Sequence, residues 1–166
     1  AVFITHQGYL KRISLDTFER QNRATRGKAG MKTKDDDDIQ HFFTAMMHDK
    51  VLFFSSKGIV YSLNVYDFPE GGRQSKGLPI VNVLPIEQGE RITAVVPVSN
   101  FSHDLNLIML TQKGYIKRIE LDNFASIRRS GIIAISLEEG DKLNWVKLAN
   151  PNDEIIIGTS CGMAIR

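Results

Sequence analysis

The stretch MLTQKGYIKRIELDNF (Met109–Phe124) decides the fold. It starts apolar, crosses a polar turn closed by Gly114, then alternates apolar and polar residues as far as Phe124. An apolar run, a short turn ending on a residue free to take positive φ, and a strand of period two together spell a β-hairpin. Three more stretches share its offsets: FITHQGYLKRISLDTF (Phe3–Phe18), FFSSKGIVYSLNVYDF (Phe53–Phe68) and the shorter IGTSCGMAIR (Ile157–Arg166). Their glycines, Gly8, Gly58, Gly114 and Gly162, are spaced by 50, 56 and 48 residues. Each stands three residues after a small hydroxyl residue (Thr5, Ser55, Thr111, Thr159), and each complete copy ends on a phenylalanine ten residues later. Self-similarity at this period marks propeller-type repeats.

Alternation in the second strand puts Tyr9, Lys11, Ile13 and Leu15 on one face, matched by Ile59, Tyr61, Leu63, Val65 and by Tyr115, Lys117, Ile119, Leu121. That face is expected to be core, with Lys11 and Lys117 laying their stems along its edge and their ammonium groups in water. The opposite face carries Arg12, Ser62 and Arg118 at one offset and is expected to be wet. Two more strand-like runs follow each hairpin, for example IVNVLPI (Ile80–Ile86) and RITAVVPV (Arg91–Val98), which gives about four strands per unit. β-Branched residues dominate these runs and no long stretch has helical spacing, so helix should be below about 10%. The expected architecture is all-β, with about three blades of a larger ring in repeat units 1–48, 49–104 and 105–152 and an incomplete unit 153–166. The chain opens inside one hairpin, lacks an initiator methionine and stops four residues after Gly162. A piece of a longer array, with open edge strands, is therefore expected.

The 166 residues carry 21 basic and 19 acidic side chains, a net charge of only +2, so any attraction to an anion must be local. A single cysteine, Cys161, rules out an internal disulfide framework and suits a cytoplasmic setting. No apolar run reaches the roughly 18 residues of a membrane span, so no membrane partner is expected.

The local charge sits in the loops that follow the hairpins. QNRATRGKAG (Gln21–Gly30), after Phe18, holds Arg23, Arg26 and Lys28 with Arg20 beside them; PEGGRQSKG (Pro69–Gly77) holds Arg73 and Lys76; ASIRRSG (Ala125–Gly131) holds Arg128 and Arg129. From Lys11 to Lys34 there are eight basic and two acidic residues. Equivalent loops of a bladed ring emerge on the same rim, so these cations form a track. Arginine offers a planar fork of donors and glycine permits close backbone approach, a combination suited to phosphate. Arg12, Lys117 and Arg118, on the hairpins, extend it. The partner expected from these residues is a nucleic acid, bound with little regard to sequence because no recognition helix is evident.

At these residues the chain also resembles the C-terminal domain of the A subunit of DNA gyrase, a type IIA topoisomerase. QNRATRG is similar to that family's Q-R-R-G-G-R/K-G box: Gln21, Arg23, Arg26 and Gly27 match, whereas Asn22, Ala24 and Thr25 depart, and Lys28 restores one charge. HQGYLKR, FSSKGIVYSLNVYDFPE and KGLPIVNVLPIEQGERITAVVPV extend the likeness over essentially the whole chain. The resemblance implies a β-pinwheel whose blades exchange strands with their neighbours. It also implies duplex DNA wrapped on a basic rim so that strand passage introduces negative supercoils, with the rest of the gyrase A and B subunits as partners. The related domain of topoisomerase IV is the nearest alternative; a propeller-type scaffold docking an acidic protein is another.

Site chemistry argues against an enzyme. His6, His41, His48 and His103 have no metal-ligand spacing, and Cys161 has no partner cysteine. GRQSKGLP (Gly72–Pro79) lacks the Gly-Lys-Ser/Thr ending of a phosphate loop. The run Asp35–Asp38 lacks the spacing of a calcium loop and is expected to be a solvated acidic turn. No catalytic residue, metal or cofactor is expected in this piece.

Overall fold

The computed structural model describes residues 1–17, 37–72 and 74–166. Among them there is no α-helix, only four short 3-10 turns between β-strands. The strands form successive sheets. In the first, β1 (Val2–Thr5), β2 (Tyr9–Arg12), β3 (Ile39–Phe43) and β6 (Leu78–Pro79) lie in the order β3-β1-β2-β6. In the second, β4 (Lys50–Ser55), β5 (Ile59–Asn64), β7 (Ile92–Val98) and β10 (Ile132–Ile133) lie in the order β10-β5-β4-β7. β8 (Asn106–Thr111), β9 (Ile116–Glu120) and β11 (Leu143–Ala149) form a three-stranded sheet, and β12 (Ile157–Gly158) pairs with β13 (Ala164–Ile165). Every pairing between these strands is antiparallel.

The order of strands shows the exchange. β6 follows the second hairpin yet pairs with β2 of the first, and β10 follows the third hairpin yet pairs with β5 of the second. The crossing chain is pinned at the hairpin turns, where Gly8 O accepts the Ile80 N–H at 2.7 Å and Gly58 O accepts the Ala134 N–H at 2.8 Å.

The turn offsets found in the sequence have a direct cause. In each turn the hydroxyl residue accepts the glycine N–H through its carbonyl: Thr5 from Gly8, Ser55 from Gly58, Thr111 from Gly114 and Thr159 from Gly162. Its side-chain oxygen accepts the next N–H, as from Tyr9 to Thr5 Oγ1 and from Tyr115 to Thr111 Oγ1, both at 3.1 Å. All four glycines take φ between +77° and +91°. The space around them differs. A Cβ on Gly58 would lie 2.3 Å from the backbone oxygen of Ile135, whereas one on Gly114 would meet nothing within 4 Å. Gly114→Ala should therefore cost about 1–2 kcal/mol for the left-handed backbone alone. Gly58→Ala should cost roughly 1–3 kcal/mol more, because the exchanged segment must shift. Urea unfolding of the two variants measures the difference; equal losses would mean that the crossover is not fixed at Gly58.

Blades pack face to face, which explains the apolar first strands. Val51, Leu52, Phe53 and Phe54 are all fully buried: Val51 and Phe53 face the core shared with the first blade, Leu52 and Phe54 the core shared with the third. A strand buried on both faces needs a continuous apolar run rather than alternation. The second face expected to be wet is accordingly buried at Leu10 and Val60. β9, with none of the described residues packed as a blade on its outer side, keeps Ile116, Lys117 and Arg118 exposed. The ends of the alternating runs also differ from a strand. They curl into 3-10 turns, Leu15–Thr17, Val65–Asp67 and Leu121–Phe124, which leave Leu15 exposed but carry Val65, Phe68, Leu121 and Phe124 inward. Phe68 meets Phe53 edge-on, and Phe124 meets Phe54 the same way.

Three local expectations are corrected. IVNVLPI is no strand: Ile80–Asn82 form a 3-10 turn, since the chain must leave β6 and bend inward, burying Ile80 and Leu84. Lys11 does not hold its ammonium in water; it is fully buried, with Nζ bonded to backbone carbonyls. The acidic run is not wholly solvated. Asp37 is 5% exposed and its Oδ1 accepts the Gln7 N–H of the first hairpin turn at 3.0 Å. Asp141 does the same for Lys113 in the third unit. Burial pushes the Asp141 carboxyl up, but the Thr111 hydroxyl and the Lys113 and Lys142 N–H groups outweigh it and hold the carboxyl below its ordinary range.

Candidate nucleic-acid interface

The rim and the centre can be told apart from the side chains around a cavity of about 690 Å³. Gln40 and His41 of β3, Ile92 and Thr93 of β7, and Asn144 and Trp145 of β11 line it. β3, β7 and β11, each at one end of its sheet, all reach this cavity beside Ile4 and Thr5 of β1, and β6, β10 and β9 lie at the opposite ends of the sheets, the outer edge. Residues 74–77 lead into β6 and residues 125–131 into β10 at this outer edge.

The cations that the sequence placed in one track fall into two groups. The side chains of Lys76, Arg118, Arg128 and Arg129 are exposed and make no hydrogen bond or ion pair among the described residues. The structure brings them all to outer-edge strands and loops, where guanidinium and ammonium groups are available to phosphate oxygens. Arg12 and the two hairpin lysines are engaged within the protein. Arg12 Nε donates to Phe68 O at 2.9 Å, and its guanidinium lies 3.4 Å from the Glu70 carboxylate. Lys117 Nζ donates to Ala134 O at 2.8 Å, although the residue is exposed overall. Lys11 Nζ donates to Gly72 O and Ser75 O, both at 2.8 Å, and burial lowers its pKa. These groups brace the rim rather than line it. Arg20, Gln21, Arg23, Arg26, Gly27, Lys28 and Arg73 lie outside the described residues.

Sequence reasoning missed Lys50, whose Nζ donates to Ala125 O at 2.9 Å and so ties the second hairpin to the third basic loop. Its position at the head of an apolar strand gives no sign of this. It also missed a surface grouping of His103, Glu120 and Asp122, whose potential ligand atoms lie within 4.8 Å of one another. His103 Nδ1 is 2.6 Å from Asp122 Oδ2, a contact that accounts for both side chains. No described helix is long and apolar enough to cross a membrane.

The family model described as "DNA gyrase C-terminal domain, beta-propeller" matches residues 1–45, 49–99 and 105–150. The chain belongs to this family. The DNA gyrase A subunit of Synechocystis sp. is 55% identical over 99% of the chain, and that of Halalkalibacterium halodurans 48% identical over 99%. The chloroplastic/mitochondrial counterpart from Nicotiana benthamiana is 48% identical over 98%. The chain spans about a fifth of the length of these relatives, 17–20%. Among solved structures, the C-terminal domain of a DNA topoisomerase IV has a TM-score of 0.83 at 27% identity, covering 99% of this chain and 50% of that one. A DNA gyrase A C-terminal domain has a TM-score of 0.67 at 24% identity, covering 98% and 52%, a likeness of fold. In this chain the exchanged strands β6 and β10 follow the basic loops, and the crossings that add them to the first two sheets set the position of Lys76, Arg128 and Arg129.

Proposed function

We propose that this chain is a non-catalytic DNA-binding and DNA-wrapping domain of a DNA gyrase A subunit. Duplex DNA runs along the outer edge of the blades, held by phosphate contacts and largely without regard to sequence. Its bending presents a crossing segment to the strand-passage machinery and so directs negative supercoiling. The rest of the gyrase A and B subunits are its partners in the cytoplasm, and this piece needs no cofactor or metal of its own. The supporting observation is that Lys76, Arg118, Arg128 and Arg129, from two units, are exposed and without a protein partner among the described residues on one outer edge of a gyrase C-terminal fold. A topoisomerase IV origin is the second reading, favoured by the likeness of the backbone to that enzyme's C-terminal domain; the relatives at 42–55% identity favour gyrase.

The basic stretch QNRATRGKAG provides the test. If Arg23, Arg26 and Lys28 each neutralise a phosphate, changing all three to Gln removes about three contacts. The slope of log affinity against log salt should then be shallower by about 2.7. Between about 50 and 200 mM salt the unchanged chain should lose roughly 40-fold more affinity than the variant. Energy transfer between fluorophores on the duplex ends should fall as well, because bending a duplex stiff over about 150 bp needs firm anchors. A variant that keeps both its salt slope and its bending signal would refute a DNA role for this loop.

A further inference from the structure

We propose that Lys11 is a positioning residue for DNA binding: its ammonium, inside the first blade, organises the second unit's basic loop and so presents Lys76 to the duplex. The inference rests on the nucleic-acid reading above. Lys11 is 0% exposed, and an ammonium taken from water is costly unless its donors are satisfied. Here they meet the rim loop. Nζ donates to Gly72 O and Ser75 O at 2.8 Å each and lies 3.5 Å from Ser75 Oγ. The loop closes on this centre, with Gly72 O also accepting from Ser75 N at 3.1 Å and Ser75 Oγ at 2.8 Å.

Two glycines make the approach possible. A Cβ on Gly71 would lie 2.4 Å from Ser75 Oγ and 3.3 Å from Lys11 Cδ. A Cβ on Gly77 would lie 2.5 Å from Leu10 O and 3.3 Å from Lys11 Cβ. Lys76 is thereby held between Ser75, bonded to the ammonium, and Gly77, seated on the β2 backbone. The blade itself does not require a lysine at this place: Tyr61 occupies the same offset in the second hairpin, where its hydroxyl donates to Glu90. A cation at Lys11 therefore serves the loop rather than the sheet, and its charge lies beneath the groups that would meet phosphate without touching it.

The test measures the salt slope of binding to a random-sequence duplex for the chain carrying Lys11→Met, Arg73→Gln with Lys76→Gln, and all three changes. Neutralising the two loop cations should make the slope shallower by about 1.8. Lys11→Met alone should reproduce at least half of that shift and speed hydrogen exchange at the Gly71 and Ser75 amides. Added to the loop-neutral variant it should change the slope no further. Gly71→Ala severs the same contact from the loop side and should behave as Lys11→Met does, which covers the case in which Lys11→Met does not fold. A further 0.9 in the triple variant would make Lys11 a phosphate contact and overturn the proposal, as would Lys11→Met and Gly71→Ala that both keep the full slope. If the loop cations prove silent while the Arg23, Arg26 and Lys28 changes weaken binding, the proposal falls and the DNA reading stands. If no cation change matters, the DNA reading falls too.

Discussion

With Lys76, Arg118, Arg128 and Arg129 all changed to glutamine, the dependence of duplex affinity on salt should be shallower by about 3.6 in log–log slope. Over the fourfold range from about 50 to 200 mM salt, the unchanged chain should lose roughly 150-fold more affinity than this variant. The size follows from four contacts at about 0.9 each. The choice of residues follows from the structure, since these cations are exposed and have no protein partner to lose among the described residues. The fold should survive, because exposed charges without partners contribute little to stability. The thermal transition is the control: it should move little while the salt slope collapses. Arg12 makes the contrast. Its guanidinium already serves Phe68 O and Glu70, so Arg12→Gln should disturb the junction between units before it disturbs the salt slope. A quadruple variant with an unchanged slope would mean that the outer edge of these two units does not carry the duplex.

Phe54→Ala should destabilise the chain by about 3–5 kcal/mol, enough to unfold a domain of ordinary stability. Phe54 is fully buried in β4, and its ring meets Phe124 of the next unit edge-on with centroids 6.2 Å apart. The truncation opens a cavity in the core shared by two blades, and the loss of the aromatic pair adds about 0.5–1.5 kcal/mol. Phe42→Ala is the matched control. Phe42 stacks on Phe3 at 4.9 Å but is 61% exposed, so its loss should cost about 1 kcal/mol or less. Denaturant midpoints for the two variants decide the matter; similar losses would show that the inter-blade core does not hold the array together.

Much of the fold could be read from the chain because its determinants are local. A turn that needs positive φ selects glycine, and the residue three places before it needs a short hydroxyl to accept the following N–H; Thr5, Ser55, Thr111 and Thr159 announce their hairpins without help from distant residues. The phenylalanine ten residues on has a packing reason, since the 3-10 turn carries Phe68 and Phe124 into the cores between blades. Composition and spacing were likewise enough to find the basic loops.

What the tertiary structure alone decided is where each cation ends up and which faces are wet. Lys11 and Lys117 share an offset, yet one is fully buried and the other exposed, because a following unit lays its loop over β2 and none of the described residues lies over β9 in the same way. Leu10 and Ile116 also share an offset, and one has a blade against it while the other is 50% exposed. Period-two alternation tells which residues share a face of a strand; it cannot tell whether a second sheet covers that face. The division of the rim cations into braces (Lys11, Arg12, Lys50, Lys117) and side chains without a partner among the described residues (Lys76, Arg118, Arg128, Arg129) depends on carbonyls up to 75 residues away in the chain. Such partners are brought near only by strand exchange between blades, a long-range event with no signature in the residues on either side of the lysine.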